Sequence, residues 1–114
     1  MRDKVYTYLG FAARSRNIVT GYNTCLMMLA KRKLRLLIVC EDVAENTKKK
    51  MLSGINKYKT EYRIFGKMDD LSQITGKPGK GVFGITDDHF AEIICKEIDR
   101  IQSEKEGSND EKST

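Results

Sequence analysis

Leu36-Leu37-Ile38-Val39-Cys40-Glu41-Asp42 is the stretch from which the fold can be read. Five consecutive apolar residues, cut off by two carboxylates, predict a strand covered on both faces, as a central strand of an α/β sheet is. Asp42-Val43-Ala44-Glu45 follows with the spacing of a capping box, Asp42 serving as N-cap and Glu45 reaching back. The helix so opened includes Asn46-Thr47-Lys48-Lys49-Lys50-Met51-Leu52 and ends near Tyr58.

Working outward, the same alternation extends in both directions. Upstream, Val5, Tyr8, Leu9 and Ala12 fall at helical spacing within residues 3–13. The basic connection Arg14-Ser15-Arg16-Asn17 leads to a brief strand, Ile18-Val19, and Gly21 precedes a helix over 22–32. Its apolar stripe is Cys25, Leu26, Met28 and Leu29, and Lys31, Arg32 and Lys33 lie at its C-terminal end, where cations are favoured. Downstream come a strand over 62–65, a helix over 67–75 closed by Gly76, a basic loop over 76–81 and a strand over 82–85. Thr86 or Asp87 caps a last helix over 88–103. Residues 1–103 read as a single α/β domain with helices on both faces of a small sheet, and 104–114 as a disordered charged tail.

Charge divides the chain. Residues 1–80 carry 17 Lys and Arg against 7 Asp and Glu, whereas residues 81–114 carry 4 against 9. A basic body of this kind suits a polyanionic partner. No apolar run approaches the length of a membrane span, and the apolar segment near the N-terminus is too short and polar for a signal-peptide core, so the cytoplasm is the expected compartment. Cys25, Cys40 and Cys95 are widely spaced in apolar contexts, which reads as free buried thiols and not as a disulfide framework or zinc site. With a single histidine, His89, and no nucleophile–base pattern, neither an enzyme nor a metal or other cofactor is expected.

Ile18-Val19-Thr20-Gly21-Tyr22-Asn23-Thr24 carries the clearest binding signal. A strand ending at a glycine before a helix start leaves unpaired backbone N–H groups at the positive end of the helix dipole, and the Asn23 amide both donates and accepts. Tyr22 can stack on a base or cover the helix end. Gly79-Lys80-Gly81-Val82-Phe83-Gly84 matches a dinucleotide fingerprint letter for letter, but its glycines lead into a strand instead of opening a helix. The loop reads better as a flexible segment bringing Lys77 and Lys80 to phosphate. Lys48-Lys49-Lys50 fits a solvated helix flank and an RNA contact equally well.

Gly21-Tyr22-Asn23, the run Leu37-Ile38-Val39-Cys40-Glu41-Asp42 leading into Asn46-Thr47-Lys48, and Gly84-Ile85-Thr86-Asp87 together resemble the ribosomal protein superfamily of L-seven-Ae and L-thirty-e, most closely its small bacterial YlxQ-like members. The resemblance implies a three-layer α/β/α sandwich around a four-stranded mixed sheet. It also implies binding of structured RNA, ribosomal or related, since many members grip kink-turns through a helix start and a nearby loop. The family signature Gly-x-Asn-Glu-x-x-Lys is matched at Gly21 and Asn23, while Thr24 stands for the Glu and Met27 for the Lys. The implied RNA-facing set is Gly21, Tyr22, Asn23, Thr24 and Met27, with Arg14, Arg16, Lys31, Arg32, Lys77 and Lys80 supplying phosphate contacts. A protein–protein module on the same fold is the alternative.

Overall fold

The computed structural model describes residues 3–113, with side-chain surroundings for residues 4–104. The apolar run becomes β2 (Leu36–Val39), fully buried and central. Its neighbours are β3 (Tyr62–Ile64), paired in parallel with Leu37 opposite Tyr62, and β4 (Val82–Ile85), antiparallel with Ile38 opposite Phe83. Outside β4 lies β1 (Ile18–Thr20), antiparallel to it with Thr20 opposite Phe83, so the strand order is β1-β4-β2-β3.

The strict two-residue period of a strand sends alternate side chains of the run into two cores. Leu36, Ile38 and Cys40 join Val5 and Leu9 of α1 (Asp3–Arg14), Leu71 of α4 (Met68–Thr75), and Ile94 and Ile98 of α5 (Asp88–Ser113). Leu37 and Val39 face the other way, against Cys25 and Leu29 of α2 (Tyr22–Ala30) and Met51 and Ile55 of α3 (Glu45–Tyr58). The architecture is therefore a three-layer α/β/α sandwich on a four-stranded mixed sheet, as expected. Each fully buried aliphatic side chain stabilises it by about 1.5–3 kcal/mol.

Two expectations are corrected. Asp42 does not cap α3: the N-cap is Ala44, with no side-chain cap bond, and Asp42 Oδ1 accepts from Met68 N at 2.9 Å, closing the start of α4 from 26 residues away. A partner distant in sequence has taken the carboxylate that local spacing assigned to its own helix. The last helix also does not stop near Ser103 but runs Asp88–Ser113. The Arg100–Glu104 ion pair, four residues apart, ties its exposed face at the point where a tail is expected to begin. Asp87, one of the two candidate caps, holds α5 through Phe90 N at 2.8 Å.

Three helices end alike. Asn17 N donates to Ala12 O, Lys33 N to Met28 O and Thr60 N to Ile55 O, each reaching back five residues over a left-handed residue. Those residues are Arg16 (φ 63°), Arg32 (φ 57°) and Lys59 (φ 54°). The end of α4 uses the same geometry with Gly76 (φ 72°), the residue that adopts it without steric strain. A side chain there costs about 1–2 kcal/mol, and the attraction of a cation to a helix C-terminus returns only about 0.3–1 kcal/mol. Fold stability alone therefore does not account for the choice of arginine and lysine at these three ends.

Candidate functional site

Strands β1, β2 and β3 run in one direction and β4 against them, so α2, α3 and α4 all begin at the same edge of the sheet, beside the loop entering β4. This edge holds a groove of about 300 Å³. Its walls are Gly21 and Tyr22 at the start of α2, Val43, Ala44 and Thr47 around the start of α3, Met68 of α4, and Gly79, Lys80, Gly81 and Val82. None of these lining residues is a carboxylate, histidine or thiol.

The start of α2 is built by Gly21. With φ 97° and ψ 152° it occupies a region accessible almost only to glycine, its N–H donates to Val82 O at 2.9 Å, and its carbonyl accepts the first helical bond, from Cys25 N at 3.0 Å. No side chain caps this end and no acidic residue lies in its first turn, so its dipole is uncompensated. Over it hangs Lys80: the site where a Cβ would project from Gly21 lies 3.6 Å from Lys80 Nζ. The backbone of Lys80 is held on both sides by buried Ser72, whose Oγ donates to Lys80 O at 2.9 Å and accepts from Lys80 N at 3.1 Å. The loop is therefore anchored at the residue that closes the groove. Gly81 makes the approach possible, because a Cβ there would meet Val43 and Met68 at 2.5 and 3.0 Å.

Tyr22 is half-buried against the α2–α3 core, and Lys50 Nζ lies 5.9 Å from its ring centroid. Asn23 and Thr24 are exposed in the first turn, and among the described residues neither side chain is engaged in a hydrogen bond. Met27, one turn further along that face, is 49% exposed, whereas Met28 turns toward the core.

The candidate residues therefore fall into two groups. Gly21, Tyr22, Asn23, Thr24, Met27 and Lys80 lie together at the groove and the adjoining face of α2; Lys77 is exposed on the same loop but does not line the groove. Arg14, Arg16, Lys31 and Arg32 lie at the opposite edge, where α1 and α2 end. Lys31 is two turns from Asn23, roughly 12 Å along the helix axis. Sequence reasoning missed Val43, Ala44, Thr47, Met68 and Val82 as groove residues. The available signal was the carboxyl end of the central strand, where α/β sheets commonly place ligands.

Burial pushes the Cys25 thiol up to about 12, and burial aided by Asp42, Glu41 and Asp70 does the same for Cys40. All three cysteines are free, with Cys95 half-buried. Among the described residues no group of three or more His, Cys, Asp or Glu side chains could hold a metal ion, and no helix is long and apolar enough to cross a membrane.

Comparison with known proteins adds a second line of observation. The model of the ribosomal protein L7Ae/L30e/S12e/Gadd45 family matches residues 3–98. The RNA-binding protein YlxQ of Enterococcus faecium is 33% identical over 91 residues, covering 79% of this chain and 86% of that one. The RNA-binding protein YlxQ of Bacillus subtilis (strain 168) is 29% identical over 94 residues, covering 82% and 94%. A solved protein of unknown function from Bacillus halodurans superposes with a TM-score of 0.81 at 29% identity, covering 84% of this chain and 97% of that one. The Giardia lamblia 15.5kD RNA binding protein shares the fold, with a TM-score of 0.69 at 16% identity and coverage of 86% and 84%.

Proposed function

The chain belongs to the ribosomal protein L7Ae/L30e/S12e/Gadd45 family, and from that premise we propose that it is a non-enzymatic RNA-binding protein that grips structured RNA at the groove between α2, α3 and the 79–81 loop. The observation that carries this reading is the uncapped start of α2 lying under Lys80 at the positions of the family signature. Free N–H groups and an ammonium converge there on a space lined by no carboxylate, the arrangement a phosphate requires. The YlxQ relatives named as RNA-binding proteins point the same way.

In this reading Gly21 permits close backbone approach, Asn23 addresses a base edge, Lys80 neutralises phosphate, and Tyr22 and Met27 offer apolar surface to bases. Thr24 and Met27 replace the groups that read guanine in a kink-turn, so kink-turn selectivity is reduced by about 1–3 kcal/mol per lost base contact.

The test is equilibrium binding of a kink-turn RNA and an unstructured RNA of equal length to the wild type, to Asn23→Ala and to the double variant Thr24→Glu/Met27→Lys. Wild type binds both RNAs, with log affinity falling steeply against log salt. Asn23→Ala weakens the kink-turn complex, and the double variant widens the preference for the kink-turn by about tenfold or more. Equal affinities untouched by either variant would refute the specific site. Absence of binding even at low salt would transfer the surface to a protein partner.

A further inference from the structure

The sheet edge opposite the groove gathers the C-terminal ends of three helices: Arg14 and Arg16 from α1, Lys31 to Lys33 from α2, and Lys57 and Lys59 from α3. All seven are exposed, and among the described residues none forms an ion pair. Carboxylates that the chain brings to this edge have partners of their own: Asp88 pairs with Arg35, Glu61 with Arg63, and Asp87 accepts from Phe90 N. The edge therefore carries a net positive charge.

Aromatic rings lie beside three of these cations. Arg32 and Lys57 both approach the half-buried Tyr58 ring, at 6.0 and 5.4 Å from its centroid, and the Arg14 guanidinium covers exposed Phe11 at 5.0 Å. A protein–protein interface would need an apolar centre; here Tyr58 is half-buried, and Phe11, 47% exposed, carries the Arg14 guanidinium on one face. Arg16, Arg32 and Lys59 keep cations at left-handed positions where Gly76 shows the strain-free solution. The exposed face of α2, through Asn23, Met27 and Lys31 at four-residue spacing, joins this edge to the groove.

We propose that this edge is a second nucleic-acid contact, taking an RNA phosphate backbone without regard to sequence, so that one RNA seated in the groove continues along α2 to the far side of the sheet. The proposal rests on the RNA-binding reading for its class of ligand. A phosphate backbone supplies a regular row of charges to match a row of cations drawn from three helix ends.

The experiment uses the full chain and two RNAs: a short hairpin that fills the groove, and the same hairpin with a single-stranded extension long enough to follow α2. The quadruple variant Arg14→Gln, Lys31→Gln, Lys33→Gln and Lys57→Gln removes four charges and leaves all three left-handed residues in place. Its melting midpoint should match wild type. On the extended RNA its slope of log Kd against log salt should be shallower by about 3, at roughly 0.7–0.9 per lost phosphate contact. Its affinity for that RNA should fall at least tenfold at low salt, while the short hairpin binds within twofold of wild type.

A wild-type slope on the extended RNA would overturn the proposal. So would equal losses on both RNAs, which would make these charges part of a general field around the groove. Lys80→Ala tests the groove separately by weakening both RNAs. If it leaves both unchanged while the quadruple variant still loses the extended RNA, the groove assignment fails and the second contact stands.

Discussion

Gly21→Ala is the most direct challenge to the site as described. The residue sits at φ 97° and ψ 152°, and the space for a methyl group is present: its nearest neighbours would be Lys80 Nζ, Cδ and Cε at 3.6–3.9 Å, ordinary van der Waals contact. Crowding therefore contributes little, and the backbone term decides. Holding an L-residue in that region costs about 1–3 kcal/mol. At an unfolding entropy of about 2.1 cal/mol/K per residue, each kcal/mol lowers the melting temperature of a domain of this size by about 4 °C, so a 2 kcal/mol penalty corresponds to a fall of roughly 8 °C. Relaxing the strain by rotating the peptide would break the 2.9 Å bond from Gly21 N to Val82 O and turn the first N–H groups of α2 away from the groove. Differential scanning calorimetry and RNA titration on one preparation read both effects. A variant within 0.5 °C of wild type and with unchanged affinity would refute the claim that this backbone conformation builds the site.

Asp42→Ala should cost about 0.5–2 kcal/mol in urea unfolding because it frees Met68 N at the start of α4, while Glu45→Ala should be near neutral; the reverse ranking would restore a capping box at α3. Replacing Lys59 by Gly should stabilise the protein by roughly 1 kcal/mol, since the end of α3 then adopts its left-handed turn without a Cβ; a loss of stability would refute the strain argument. Cys25 and Cys40 keep their protons in the native state up to about pH 12, whereas unfolded thiols ionise near 8.5. Their contribution is therefore complete below about pH 8.5 and is lost as pH rises toward 12, on the order of 2 kcal/mol per thiol by about pH 10.5. Unfolding at neutral and alkaline pH, with Cys25→Ala and Cys40→Ala each showing a smaller pH-dependent loss than wild type, checks this.

The elements were legible wherever one-dimensional pattern carries the cause. Leu36 to Cys40 announced a buried central strand because no residue in it tolerates solvent, and its alternation into two cores follows from pleat geometry. Gly21 announced the start of α2 because only glycine suits that turn. Asp42 misled, since a carboxylate at capping distance in sequence can be claimed by a backbone N–H closer in space, here that of Met68. The two ends of the sheet were equally hidden. Arg14 and Lys80 look alike as basic loop residues, and only the strand directions put them at opposite edges. Thr47 and Met68 enter the groove by virtue of the same directions, which no local window encodes.

The bonds between Ser72 and both backbone groups of Lys80 have a kinetic consequence. A residue so tethered is held in the folded protein before any ligand arrives, and under the proposed function an RNA entering the groove finds it already in place. Encounter then needs no loop search, so association runs at the pace set by charge steering and complex lifetime is left to the contacts made afterward. Loosening the tether would slow capture before it shortened residence.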